Sequence, residues 1–65
     1  MAYALRHPDG RKLWYDKRVI RYYAAKEPAS SRSVELTWQD EREAEEASEY
    51  YGAGEQGFVI VEVKK

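Results

Sequence analysis

A chain of 65 residues with no cysteine and a single histidine has room for one domain and no means of stapling it with disulfides or a structural zinc, so its core must come from side-chain packing or self-association. Nine aromatic residues (six Tyr, two Trp, one Phe) make independent folding plausible, because each ring buries far more area than an aliphatic side chain. The formal net charge of −1 hides a division: residues 1–32 carry eight Lys or Arg against three acids, residues 33–65 three against nine.

From the N-terminus, Tyr3 to His7, then Pro8-Asp9-Gly10, then Arg11 to Tyr15 reads as a β-hairpin. Pro-Asp presets a type I turn, and Gly10 supplies the left-handed residue that completes a three-residue loop. This register pairs His7 with Arg11, Leu5 with Leu13 and Tyr3 with Tyr15, making Tyr3, Leu5, Leu13 and Tyr15 core candidates and turning Trp14 to the other face. Residues 18–24 are rich in β-branched and aromatic side chains and are expected to form a strand, with a short helix ended by Pro28 as the alternative. Residues 27–32 have turn composition and no apolar anchor, and are expected to be a loop or a mobile connection.

Val34 and Leu36 alternate with polar neighbours in a short strand that leads into the one helix. Thr37 is the expected N-cap, with Asp40 completing a capping box, and the helix is expected from about Trp38 to Tyr51, ending at Gly52. Ala44, Ala47 and Tyr51 share its inner stripe. Phe58 to Val63 is the strongest strand, apolar on both faces and therefore expected at the centre of the sheet. The predicted fold is a single α+β domain over residues 1–65: an antiparallel sheet of four or five strands in the order β-β-β-(β)-α-β, with one helix packed across it.

The inventory for catalysis is thin. His7 is the only imidazole and sits beside a turn, where a solvated hairpin residue is the expected role. Ser30, Ser31 and Ser33 have no second histidine near them in sequence, and the glycines after the helix end it instead of opening one, the reverse of a phosphate cradle. The reading is non-enzymatic, with no cofactor and no metal. The N-terminus lacks the apolar core of a signal peptide and no stretch approaches membrane-spanning length, so a cytoplasmic location without membrane contact is expected.

Two surfaces remain as binding candidates. The helix carries Asp40, Glu41, Glu43, Glu45, Glu46 and Glu49 against one Arg42, and Glu41, Glu45 and Glu49 stack at i,i+4 spacing, an arrangement that destabilises an isolated helix. With Trp38 on the same helical wheel as an interface anchor, the partner-binding set is Trp38, Glu41, Glu45, Glu46 and Glu49, directed at a larger protein or ribonucleoprotein with a basic surface. The bland reading is a solubilising outer face neutralised by the basic half of the chain. The alternative site is the interleaved basic and aromatic run containing Lys12, Trp14, Lys17, Arg18 and Arg21, which could follow a phosphate backbone and stack bases of a single strand. Here the bland reading is a core with a solvated basic rim. Unpaired edge strands offer a third outcome, a homodimer.

The C-terminal half, from Thr37-Trp38-Gln39-Asp40 through Glu43-Ala44 and Ala47 to Gly57-Phe58-Val59-Ile60-Val61-Glu62-Val63, resembles the strand-helix-strand unit of small phage and mobile-element proteins, among them inhibitors of host RNA polymerase and anti-CRISPR proteins. The resemblance implies stoichiometric inhibition of a larger host machine and does not extend to the N-terminal basic hairpin.

Overall fold

The computed structural model describes residues 1–64. It is an α+β domain, a six-stranded antiparallel sheet with one helix: β1 (Ala2–Arg6), β2 (Lys12–Asp16), β3 (Arg21–Ala25), β4 (Ser33–Glu35), β5 (Thr37–Trp38), α1 (Glu41–Tyr51) and β6 (Val59–Val63).

The first turn forms as its residues require. Gly10 adopts φ 102°, its N–H donates to the His7 carbonyl at 2.9 Å, and the His7 N–H donates to the Arg11 carbonyl at 2.8 Å. The hairpin then departs from the expected ladder. β1 and β2 share the pair Arg6 with Lys12, beyond which the two strands part. Residues 33–38 fill the opening. β4 runs antiparallel along β2, with Val34 opposite Tyr15 and Glu35 opposite Trp14. β5 runs antiparallel along β1, with Thr37 opposite Ala4 and Trp38 opposite Tyr3. A straight segment cannot be antiparallel to both arms of a hairpin, so the chain turns a corner at Leu36, whose N–H donates to the Leu13 carbonyl at 3.0 Å. Leu5–Leu13 and Tyr3–Tyr15 are therefore not cross-strand pairs. Leu5 and Leu13 still meet in the core, while Tyr3 and Tyr15 are half-buried.

β1 is the central strand, flanked by β6 along its whole length on one side and by β2 and β5 on the other. Ala2, Ala4 and Leu5 are all buried, so β1 is enclosed on both faces. The Phe58–Val63 run is not central: β6 pairs only with β1 and forms an edge, with Val59 51% exposed. The other edge is β3. Leu5, Leu13, Ala53 and Phe58 form the core cluster, with Leu36, Trp38, Tyr51 and Ile60 packed against it.

The helix begins later than expected. Thr37 and Trp38 pair with β1, and the N-cap is Asp40 in extended conformation, accepting the N–H groups of Arg42 at 2.8 Å and Glu43 at 3.2 Å through Oδ1. Gly52, left-handed at φ 68°, closes it at the expected place. Ala44 is buried, and Ala47, Ser48 and Tyr51 are half-buried along the same stripe.

One connection also differs from expectation, and a second, a loop as expected, is held by polar contacts. The strand expected over residues 18–24 begins only at Arg21, because Asp16 Oδ1 accepts the Arg18 N–H at 2.9 Å and starts a turn. The connection 27–32 has an anchor: the Tyr23 hydroxyl accepts the Ala29 N–H at 2.7 Å and donates to Ser33 Oγ at 2.6 Å. His7, expected to be solvated, acts as a clasp. Its Nδ1 accepts the Asp9 N–H at 3.1 Å, its Nε2 donates to the Gln56 carbonyl at 3.0 Å, and its ring meets Phe58 edge-on at 5.3 Å. The same Nδ1 also stands 3.0 Å from Asp9 Oδ1. Arg11 N–H and guanidinium both donate to Asp9, holding its carboxyl below the usual carboxylate range.

Gly57, at φ 97°, lies under this clasp, and an added Cβ would sit 2.9 Å from His7 Nε2. Gly57→Ala is expected to lower stability by roughly 1–3 kcal/mol in urea denaturation, from combined backbone strain and a displaced imidazole. Ile20 is the opposite case, a β-branched residue held at φ 49° with its side chain in solvent. Ile20→Gly removes about 1–2 kcal/mol of left-handed strain and adds about 0.5–1 kcal/mol of backbone entropy loss, so the variant should be as stable as the parent or up to about 1.5 kcal/mol more so.

Candidate functional site

Strand alternation assigns each candidate to a face of the sheet. Leu5, Leu13, Trp38, Ile60 and Tyr51 belong to one packed cluster, which places the helix on the face carrying Leu5. Lys12, Trp14 and Arg21 occupy the opposite face of β2 and β3, where the registered pairs are Lys12 with Ala25, Trp14 with Tyr23 and Asp16 with Arg21. Lys17 and Arg18 stand exposed in the loop that joins the two strands. The acidic helix and the pair Lys12 and Arg21 thus lie on opposite faces, the second face also carrying Asp16 opposite Arg21 and Glu35 opposite Trp14.

The five helix residues Glu41, Glu43, Glu45, Glu46 and Glu49 are all exposed. Among the described residues their carboxylates make a single ion pair, Glu46 with Arg42 at 3.6 Å, between side chains that are 69% and 86% exposed. No basic residue occupies the last turn, where Glu49 meets the negative end of the helix dipole. The basic half of the chain spends its ion pairs elsewhere. Arg6 forms a two-pronged bridge to Glu35, with Nε and Nη2 both at 2.9 Å, which raises the Arg6 pKa, and Arg11 pairs with Asp9 at 2.8 Å. Trp38 is separated from the acidic set. It lies in β5, half-buried against the core cluster, and is not an exposed anchor on the helix wheel.

In the basic set, Trp14 is held on two sides. Its Nε1–H donates to the Ala25 carbonyl at 2.9 Å, and the Lys12 ammonium stands 5.8 Å from the ring centroid. Val19 and Ile20, expected within a strand, instead form the exposed tip of the β2–β3 hairpin at 56% and 75% exposure. Asp16, a residue type that captures a nearby backbone N–H, is the one signal that could have marked the turn, whereas nothing in the sequence marks Ile20 for a left-handed conformation that Gly or Asn ordinarily takes.

A cleft of about 210 Å³ opens between β3 and the helix end, lined by Leu13, Tyr22, Ala24, Tyr51, Ala53 and Phe58 with Gln56 and Tyr23 at its edge. It is smaller than the roughly 300–1,000 Å³ of sites that enclose a cofactor or drug-sized ligand. Its walls hold no carboxylate, imidazole or amine, so they offer no acid–base pair for chemistry near neutral pH. Among the described residues no three His, Cys, Asp or Glu side chains are grouped as metal ligands, and no helix is long and apolar enough to cross a membrane. Comparison with protein-family models, with curated proteins and with solved structures finds no match to this chain.

Tyr15, Tyr22, Tyr51 and Tyr50 form a chain of ring contacts with centroids 6.0, 4.5 and 5.0 Å apart. Burial first, then the neighbouring hydroxyls of Tyr22 and Tyr50, push the Tyr51 pKa up to about 12. A raised pKa in the folded state favours folding below the unfolded value near 10, and that contribution is lost as pH climbs from about 10 to 12. Ultraviolet titration of the tyrosinates is expected to show a late-titrating component that Tyr51→Phe removes. Its persistence in Tyr51→Phe would place the late hydroxyl elsewhere.

Proposed function

We propose that this chain is a non-enzymatic binding protein that docks on the basic surface of a larger protein or ribonucleoprotein through the outer face of α1. The observation that supports this reading is the absence, among the described residues, of any cross-fold partner for the helix carboxylates. The basic half of the chain does not neutralise them, so the repulsion along Glu41, Glu45 and Glu49, a few tenths of a kcal/mol per i,i+4 pair, stays uncompensated within the domain. A basic partner groove converts that repulsion into attraction and steers encounter. Glu41, Glu45, Glu46 and Glu49 carry the contact, and Trp38 supports the strand that leads into the helix. Stoichiometric inhibition of a host machine, of the polymerase-inhibitor or anti-CRISPR kind, is the form of this activity that the resemblance of the C-terminal half implies.

A second reading, a nucleic-acid-binding module, is favoured by a different observation: the register sets Lys12, Trp14 and Arg21 on one face, with Lys17 and Arg18 in the adjoining loop. Neither reading assigns the chain a reaction, a cofactor or a membrane.

The test is affinity capture from a bacterial lysate with and without nuclease. A defined protein retained after nuclease and lost with Glu45→Lys/Glu49→Lys, whose thermal melt should match or slightly exceed the parent's because the like-charge stack is relieved, is the expected outcome. Equal retention by the charge-reversed variant removes the helix from the interface. Retention that disappears with nuclease transfers the function to the basic face.

A further inference from the structure

The loop closing the β2–β3 hairpin carries two residues, Val19 and Ile20, that neither binding reading uses. Residues 17–20 bridge the terminal pair Asp16–Arg21. Lys17, Arg18 and Arg21 are exposed, and between them Val19 and Ile20 hold their aliphatic side chains in water. A single exposed aliphatic residue is ordinary on a protein surface. Two adjacent β-branched ones at a hairpin tip, one of them left-handed and both bracketed by three cations, form a small apolar wedge in a positive setting.

We propose that this tip is a wedge for the minor groove of double-stranded DNA. Ile20 and Val19 enter at a base step, and Lys17, Arg18 and Arg21 hold the flanking phosphates. Minor-groove proteins combine these two elements, cationic side chains and an aliphatic residue that partly unstacks a step and bends the duplex. The undeformed minor groove is about 6 Å wide, so a two-stranded tip enters it only as the wedge unstacks the step and widens the groove. The acidic helix lies on the other face of the sheet and packs chiefly on β1, β5 and β6, its C-terminal end reaching β3 through the Tyr51–Tyr22 ring contact. Asp16, the one carboxylate at the base of the loop, is turned to the Arg18 N–H at 2.9 Å.

The geometry favours a duplex over the other polyanions. Stacking of single-stranded bases calls for an open aromatic face, and the Trp14 ring is tied at its edge to the Ala25 carbonyl and has Lys12 beside it, while the tip itself has no aromatic residue. An anionic membrane calls for a larger apolar face than two aliphatic side chains provide. The proposal shares only its cations with the nucleic-acid reading above, and it is independent of the acidic helix.

The experiment uses an A·T-rich duplex of about two helical turns, labelled at both ends, read by anisotropy for binding and by energy transfer for bending. The parent should bind and shorten the end-to-end distance, with a log–log salt slope of about −3 for three phosphate contacts at about −0.9 each. Ile20→Gly, which relieves the left-handed backbone and so keeps the fold, should bind roughly tenfold more weakly and lose the bend. Arg18→Gln/Arg21→Gln should flatten the slope by about 2. The Glu45→Lys/Glu49→Lys variant should still bend the duplex, which separates this surface from the helix. Failure of the parent to bind the duplex, an unchanged bend with Ile20→Gly, or tighter binding to a single strand or to phosphatidylglycerol vesicles would overturn the proposal.

Discussion

β1 and β2 share one residue pair next to their turn and then separate, and the arrangement of the domain follows from how the separation is filled. A hairpin that opens exposes the inner backbone edges of both strands, which must find hydrogen-bond partners if they are to be buried. Residues 33–38 supply partners to both, first along β2 and then, after the corner at Leu36, along β1. The corner brings Leu36 against Leu5 and Leu13, the centre of the core cluster. It also leaves the chain at the far end of β1, from which α1 crosses to deliver β6 to the other side of the same strand. The connection places the helix over the face that carries Leu5, so one bend in a six-residue segment sets both the sheet order and the covered face.

Charge segregation is a consequence of that topology. The acids are concentrated in α1 and the unpaired bases in β2, β3 and the loop between them. Because the helix covers one face of the β1, β5 and β6 part of the sheet while Lys12, Trp14 and Arg21 occupy the other face of β2 and β3, the two sets do not neutralise one another. The paired bases, Arg6 and Arg11, engage carboxylates outside the helix. The helix is therefore a strongly acidic surface, with the exposed cations Lys17, Arg18 and Arg21 gathered at the β2–β3 hairpin end, and the near-zero net charge gives no indication of either.

Local chemistry was legible in the sequence wherever a residue type determines a backbone conformation by itself. Pro8-Asp9-Gly10 fixed the first turn, Gly52 the helix end, and Ala44 with Ala47 and Tyr51 the inner stripe. Legibility failed where competing partners decide. Thr37 and Asp40 are both good caps, and the choice fell to Asp40 because β1 engages Thr37 and Trp38 first. Trp38 was consequently placed on the wrong element. Hydrophobicity on both faces suggested a central position for Phe58–Val63, yet β6 is an edge. Its apolar residues serve different ends, Phe58 and Ile60 reaching the core while Val59 faces solvent. The opening of the hairpin leaves no mark in the sequence, since Tyr3, Leu5, Leu13 and Tyr15 alternate as they would in a regular ladder.

The same distinction explains why the hairpin tip was not visible. Val19 and Ile20 have strong strand propensity, and a strand through them would have continued the pattern of residues 18–24. Asp16 prevents this by capturing the Arg18 N–H, and the last of the four loop residues must then take a left-handed turn to re-enter the ladder at Arg21. Ile20 occupies that position, where glycine would meet the backbone requirement at lower conformational energy. Propensity and position disagree at this one residue, and the rest of the fold draws no benefit from the aliphatic side chain that results. That disagreement, with cations on both sides of it, is what distinguishes the tip from an ordinary solvated turn.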